Sequence, residues 1–195
     1  MNREAFFIFI YFLGVVIASM IRATYSKGFK KRTLAIDHKS TVDSILMSLP
    51  GISMFILPVI FVFTSWLDFA NFSLPFWSGW IGVLFFVMML WLLWKSHADL
   101  KHDWSPMLQI YKEHELMTYG LYARIRHPMY AAHLLWGIAQ PLLLHNWLVG
   151  FSMLLTLLPL YVYRIPREEK MMMEAFGERY RSYINLTNRM IPYVW

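Results

Sequence analysis

Long stretches without charged residues constrain this chain more than any other feature of its sequence. Residues 5–21 contain no Lys, Arg, Asp or Glu, and the same holds for residues 45–63, 76–94 and 147–163. A helix needs about 20 predominantly apolar residues to cross the hydrocarbon core of a bilayer. Charged residues make up only 15% of the sequence, well below the roughly 25% of a typical soluble domain. We therefore predict an all-α integral membrane protein whose first partner is the lipid bilayer.

A fifth apolar segment, residues 131–144, is short and contains Pro141. A tight turn at residues 145–146 would join this segment to the last span as a helical hairpin, so we predict about five transmembrane helices. Pro50 and Pro58 lie inside the second span. Because proline has no N–H, these residues predict a kink that neighbouring helices must compensate.

Positive charge is distributed unevenly among the connecting segments. Residues 65–75 contain no Lys or Arg, whereas residues 22–39, 95–126 and 164–189 are basic. Basic loops stay on the cytoplasmic side of a membrane. Five spans that obey this rule place the N-terminus outside and the C-terminus in the cytoplasm, with the three basic segments on one face.

The same pattern divides the chain into two parts. Residues 1–94 hold three N-terminal spans and the basic loop at 22–39. Residues 95–195 hold most of the acidic and histidine residues. We divide this second part into the polar segment 95–130, the hairpin 131–163 and a C-terminal amphipathic helix at 164–195.

Several classes of function are disfavoured by the sequence. The net charge of +6 is explained by cytoplasmic loops that face anionic lipid, so no nucleic-acid partner is predicted. The absence of cysteine excludes disulfides and thiolate ligands, and neither G-x-G-x-x-G nor G-x-x-x-x-G-K occurs. His97 and His102 resemble one histidine box of membrane di-iron enzymes. Seven histidines without an adjacent pair give too few ligands, so no metal is predicted.

The segment Gly120–Tyr130, G-L-Y-A-R-I-R-H-P-M-Y, places cationic and aromatic side chains directly before an apolar helix. Pro128 suits the first helical turn, where its missing N–H costs nothing. Arg126 and His127 would lie at the positive end of that helix beside free backbone N–H groups, an arrangement that holds anions. The alternative is a positively charged flank that only orients the helix. The segment fits both interpretations.

The tail combines carboxylates, an arginine and an apolar stripe. Helical spacing produces the stripe, which consists of Met172, Met173, Phe176, Tyr180 and Tyr183. Glu168 and Glu169 lie on or beside this face; at least one turns inward to a ligand, or both complement the positive helix end. Arg164 either clamps a carboxylate or snorkels to the interface. Gly177 predicts a close contact or a break in the helix.

The R-H-P-x-Y motif, the hairpin after it and the tail together resemble the isoprenylcysteine carboxyl methyltransferases, a family related to the membrane phospholipid methyltransferases. The tail contributes Glu168-Glu169, Phe176-Gly177, the two tyrosines and R-x-x-P. The resemblance covers residues 109–192, and the five-span layout resembles the short prokaryotic members.

The resemblance implies S-adenosyl-L-methionine as the cofactor, with S-adenosyl-L-homocysteine as the product. It implies a cytosolic pocket closed by the C-terminal amphipathic helix, and Arg164 as the catalytic residue that binds the substrate carboxylate. The implied cofactor-binding residues are Gln109, His114, Glu115, Leu116, Met117, Tyr122, Arg126, His127, Pro128, Met129, Tyr130, Glu168 and Glu169.

The implied reaction is methyl esterification of the C-terminal carboxylate of a prenylated cysteine or another lipophilic acceptor. A carboxylate is ionised at neutral pH, so this reaction needs no general base. Two alternatives stay open. A sister enzyme would methylate a phospholipid amine or a small thiol, and a non-catalytic membrane scaffold would retain the motif residues without activity.

Overall fold

The computed structural model describes residues 3–26, 34–37, 40–100, 109–111 and 115–191. It is mainly helical, and the predicted class of helical membrane protein is confirmed. Within the described ranges, four helical segments are long and apolar enough to cross a bilayer: Ala5–Tyr25, Thr41–Phe63, Phe76–Leu100 and Trp147–Phe176. The segment expected as a short fifth span is a helix of 17 residues. The count of five spans therefore stays a prediction.

Seven α-helices are numbered in chain order. They are α1 (Arg3–Tyr25), α2 (Thr41–Gly51), α3 (Leu57–Phe63), α4 (Phe76–Leu100), α5 (Pro128–Leu144), α6 (Trp147–Phe176) and α7 (Glu178–Leu186). Two short strands, β1 (Leu34–Asp37) and β2 (Gln109–Tyr111), pair antiparallel. The all-α prediction missed these strands because segments of four and three residues are too short to show a period of two.

The predicted distortion of the second span is present as a π-helical turn, Ile52–Ile56, between α2 and α3. Pro58 has no N–H to offer the carbonyls one turn before it. The Tyr11 hydroxyl donates to the Met54 carbonyl at 2.8 Å, and Gln140 Nε2 donates to the Ser53 carbonyl at 3.0 Å. Side chains from α1 and α5 thus satisfy the backbone that the proline leaves unpaired, as a bilayer requires.

The core lies where α1, α4, α5 and α6 meet. Phe86 of α4 stacks on Tyr11 with ring centroids 5.5 Å apart and meets Trp136 of α5 edge-on at 5.3 Å. All three side chains are buried. Helix α4 packs along α5, α5 packs along α6, and α2 lies against α6. This packing places the N-terminal end of α5 beside the middle of α6.

The turn between α5 and α6 forms the predicted hairpin. His145 adopts a left-handed conformation with φ 48°, which ends α5. The Asn146 side chain accepts a hydrogen bond from the Val149 N–H at 3.0 Å and donates to the Leu67 carbonyl at 2.7 Å. Asn146 therefore begins α6 and ties the hairpin to the connector after α3.

Helix α6 continues from the last apolar span into the tail. The expected boundary at Arg164 is not a helix end, because α6 runs on to Phe176. The helix ends at Gly177, whose φ of 52° suits a residue without a Cβ, and α7 follows directly. Arg164 thus lies inside a continuous helix, which fixes the direction of its side chain.

A close approach within the hairpin depends on Gly150. A Cβ at this position would lie 2.6 Å from the Pro141 Cα, a backbone atom that cannot move aside. We expect Gly150→Ala to lower the free energy of unfolding by about 1–3 kcal/mol through overpacking. Thermal unfolding in detergent measures this. Gly51→Ala is the control, because nothing lies within 4 Å of that Cβ. Equal melting temperatures for the two variants would contradict the packing argument.

Candidate active site

A cavity of about 420 Å³ lies where the ends of α1 and α4 and the start of α5 meet α2, α6 and α7. Its volume lies within the roughly 300–1,000 Å³ of small-molecule sites. One wall is apolar and is formed by Met47, Met54, Leu157 and Leu160. Tyr130, Arg164 and Glu168 form a polar end of the same lining. The cavity therefore has room for a ligand that is part lipophilic and part charged.

Most of the residues that the sequence analysis selected lie on the wall of this cavity: Gln109, Leu116, Met117, Tyr122, Arg126, His127, Pro128, Met129, Tyr130, Arg164 and Glu168. Glu115 is exposed and is not part of the wall. Glu169 lies behind the wall, where it contacts arginines. His114 lies outside the described residues.

Two backbone N–H groups directly before α5 are paired within the chain. The Arg126 N–H donates to the Asn188 carbonyl at 2.8 Å, and the His127 N–H donates to the Arg189 carbonyl at 2.8 Å. The segment after α7 folds back and supplies these acceptors. These two bonds fasten the segment after α7 to the residues that lead into α5.

Glu169 fastens the segment after α7 to the rest of the molecule. Its carboxylate accepts from Arg126 Nε at 3.1 Å and from Arg189 Nη2 at 2.9 Å. Arg126 also donates to the Thr187 carbonyl. His127 Nε2 lies 3.5 Å from Glu169 Oε1. Three side chains, two adjacent in sequence and one from the segment after α7, thus converge on the Glu169 carboxylate.

Glu168 has a different environment, although it is the next residue. The Tyr130 hydroxyl donates to Glu168 Oε2 at 2.6 Å, and His127 Nδ1 lies 3.7 Å from Oε1. The Glu168 side chain keeps 31% of its surface exposed, against 12% for Glu169. Glu168 is the carboxylate of this pair that faces the cavity.

Arg164 connects this cluster to α2. Its Nε donates to the Tyr130 hydroxyl at 2.7 Å and lies 3.8 Å from Glu168 Oε2. Its Nη1 donates to both oxygens of Asp43, at 3.0 and 3.1 Å. Arg164 is buried and Asp43 has no exposed surface. The snorkelling interpretation of Arg164 therefore does not describe its position.

The sequence analysis missed Asp43. It is a single acidic residue in the first turn of an apolar helix, where an ionisable side chain marks a functional position. The analysis also assigned Arg22 to a basic loop, whereas its guanidinium lines the cavity. Arg22 Nη1 lies 3.4 Å from Nε2 of His133, which lines the cavity as well.

Helix α7 supplies tyrosines to the wall of the cavity. The Tyr183 hydroxyl donates to the Tyr122 carbonyl at 2.6 Å, and Tyr180 lies beside it. Burial raises the pKa of Tyr183, so its phenol stays protonated and keeps donating. This bond fixes α7 against the segment before α5. Of the apolar stripe of the tail, Met172, Tyr180 and Tyr183 line the cavity.

The fold and the cavity define a helical membrane protein with a site that has an apolar wall and a charged end. Residues 80–174 match the sequence profile of the isoprenylcysteine carboxyl methyltransferase (ICMT) family. The resemblance predicted from the motifs is thus confirmed.

Two plant relatives illustrate the match. The probable protein-S-isoprenylcysteine O-methyltransferase of Oryza sativa subsp. indica is 32% identical over 82 residues, which is 42% of this chain and 43% of the rice protein. Protein-S-isoprenylcysteine O-methyltransferase B of Arabidopsis thaliana is 23% identical over 158 residues, which is 80% of each chain. Because the match spans less than half of the rice protein, activity and substrate do not transfer by similarity alone.

A solved structure supports the fold. The structure of the eukaryotic intramembrane Ras methyltransferase ICMT superposes with a TM-score of 0.55 and 22% sequence identity. The superposition covers 82% of this chain and 55% of that one. The likeness extends into the N-terminal half, where the family profile does not reach, and it concerns the arrangement of helices.

The two adjacent glutamates have separable effects. Glu169→Gln removes a charge that two arginines share, so we expect the free energy of unfolding to fall by about 2 kcal/mol. We also expect faster tryptic cleavage at the exposed Arg179 and Arg181. Glu168→Gln keeps an acceptor for Tyr130 and leaves cleavage unchanged. Glu174→Gln, on an exposed face, is the control. Faster cleavage in Glu168→Gln than in Glu169→Gln would show that the roles are reversed.

Proposed function

We propose that this protein is an S-adenosylmethionine-dependent methyltransferase that esterifies the carboxylate of a prenylated cysteine or a similar lipophilic acceptor. The observation that carries the proposal is a cavity whose lining combines an apolar wall with Arg164, Tyr130 and Glu168. A lipophilic chain fits the apolar wall, and a charged donor fits the polar end. The relatives' names point to the same chemistry.

The residues at the polar end suit S-adenosylmethionine. Glu168 offers a carboxylate to the cationic groups of this cofactor. The Tyr130 hydroxyl already fixes Oε2 of Glu168. Leu116 and Met117 offer an apolar surface for the adenosine, with Tyr122 buried beside them. When bound, this cofactor supplies a methyl group on a sulfonium sulfur. We propose Gln109, Arg126, His127, Pro128 and Met129 as further contacts.

Arg164 aims the acceptor carboxylate in this proposal. A carboxylate needs no base, so the protein's contribution is orientation and exclusion of water. The guanidinium of Arg164 is held by Asp43 on one side and Tyr130 on the other. These contacts fix the orientation of the guanidinium, which in this proposal favours a single approach of the acceptor. The proposed orientation puts this end of the cavity at the cytosolic face.

The acceptor class is tested with three labelled-methyl assays on the purified protein. We expect transfer to N-acetyl-S-farnesylcysteine and none to phosphatidylethanolamine or methanethiol, because the polar end contains an arginine suited to a carboxylate. Transfer to the amine or the thiol alone would replace the proposed acceptor with one of the alternatives. Binding of S-adenosylhomocysteine without methyl transfer to any of the three compounds would support the cofactor assignment and refute the proposed acceptor class.

Replacing Arg164 separates acceptor binding from cofactor binding. We expect Arg164→Ala to lower kcat/KM for the prenylcysteine by about 100-fold, with the Kd of S-adenosylhomocysteine nearly unchanged. Arg164→Lys is measured beside it, because lysine leaves the buried Asp43 with a cationic partner and preserves the fold. Arg167→Ala is the control, since that exposed arginine stacks on Tyr163 outside the cavity. Loss of cofactor binding in both Arg164 variants would overturn the role given to Arg164.

A further inference from the structure

We infer that Asp43 is a positioning residue that gives the cluster of Asp43, Arg164 and Glu168 a net charge of −1, and that this charge makes the cavity prefer a sulfonium donor over the uncharged thioether product. The inference rests on the proposed function, because it concerns the same cofactor. Asp43 lies outside the residues that match the family profile, 80–174. The role inferred for Asp43 would explain how the site selects the methyl donor over the product.

The carboxylate of Asp43 pairs with Arg164. Its backbone N–H donates to Ser40 Oγ at 3.0 Å, which begins α2 and fixes the residue in the first helical turn. Both carboxylate oxygens then accept from Arg164 Nη1, at 3.0 and 3.1 Å. The side chain has no exposed surface. Asp43 therefore cannot contact a ligand, and it acts through Arg164.

The effect of Asp43 follows from the three charges in a row. Asp43 and Glu168 contribute −1 each and Arg164 contributes +1, while Tyr130 is neutral and bridges Arg164 to Glu168. Without Asp43, the guanidinium of Arg164, 3.8 Å from Glu168, would neutralise that carboxylate. With Asp43 present, the negative charge of Glu168 is left for the cavity. Charges interact more strongly in a cavity with low dielectric than in water.

The consequence is a preference between two ligands that differ by one charge. S-adenosylmethionine carries a sulfonium, whereas S-adenosylhomocysteine carries a neutral thioether. A cluster with a net charge of −1 binds S-adenosylmethionine more tightly than the same cluster with a net charge of zero. Arg22 and Arg126 also line the cavity, but they are the same in every variant. The ratio of the two dissociation constants therefore reports the charge that Asp43 sets.

The test measures both dissociation constants by calorimetry on the full chain in detergent. We expect Asp43→Asn to lower the ratio of the S-adenosylhomocysteine Kd to the S-adenosylmethionine Kd by about tenfold, a shift of roughly 1.4 kcal/mol. Arg164→Gln makes the cluster −2 and raises the ratio. The double variant, Asp43→Asn with Arg164→Gln, returns the cluster to −1 and the ratio to that of the unaltered protein. Asp68→Asn, which removes an exposed charge from the connector after α3, leaves the ratio unchanged.

A purely structural role for Asp43 gives different results. It predicts a lower melting temperature for Asp43→Asn with an unchanged ratio, and that outcome overturns the inference. Failure of the double variant to restore the ratio overturns it as well. The double variant removes both buried charges together, so it leaves no unpaired ion and keeps the comparison available if a single variant does not fold. If the unaltered protein binds neither ligand, the proposed function fails. If it binds both and Asp43→Asn has the same ratio of dissociation constants, only the role of Asp43 is refuted.

Discussion

The ion pair between Arg164 and Asp43 is the interaction on which the site depends. A charge inside a bundle of membrane helices persists only when a counter-charge is buried with it. Arg164 lies inside α6 and Asp43 at the start of α2, and the pair has almost no exposed surface. Because Arg164 also holds Tyr130 of α5, one guanidinium joins three helices. The polar end of the cavity is the place where these helices meet.

The apolar wall of the cavity follows from a second requirement, that backbone carbonyls within a bilayer find donors. Pro58 removes a donor from the second span, and Tyr11 and Gln140 supply replacements from α1 and α5. The hydrogen bonds that repair the helix therefore also hold it against the bundle. Pro50 and Met54 of the distorted region line the cavity. The irregular turn in the second span therefore contributes residues to the cavity wall.

Local sequence patterns predicted much of this structure. Pairs of residues that are distant in sequence could not be predicted from them. Uncharged runs identified the spans, and motif residues around Tyr130 and Arg164 located the cavity wall. The sequence did not identify Asp43, because its partner is 121 residues away and a single acidic residue has no periodic signal. It also did not decide which of Glu168 and Glu169 faces the ligand. Adjacent helical residues point about 100° apart, and the two differ in their distant partners, which are Tyr130 for one and Arg126 and Arg189 for the other.

The segment after α7 holds the residues that lead into α5 in place. Its carbonyls accept from the N–H groups of Arg126 and His127. At the polar end, Arg164 lies between the carboxylates of Asp43 and Glu168. The carboxylate of Glu168 is then the negative group nearest to the cavity on this side of Arg164, which agrees with the cationic donor that we propose.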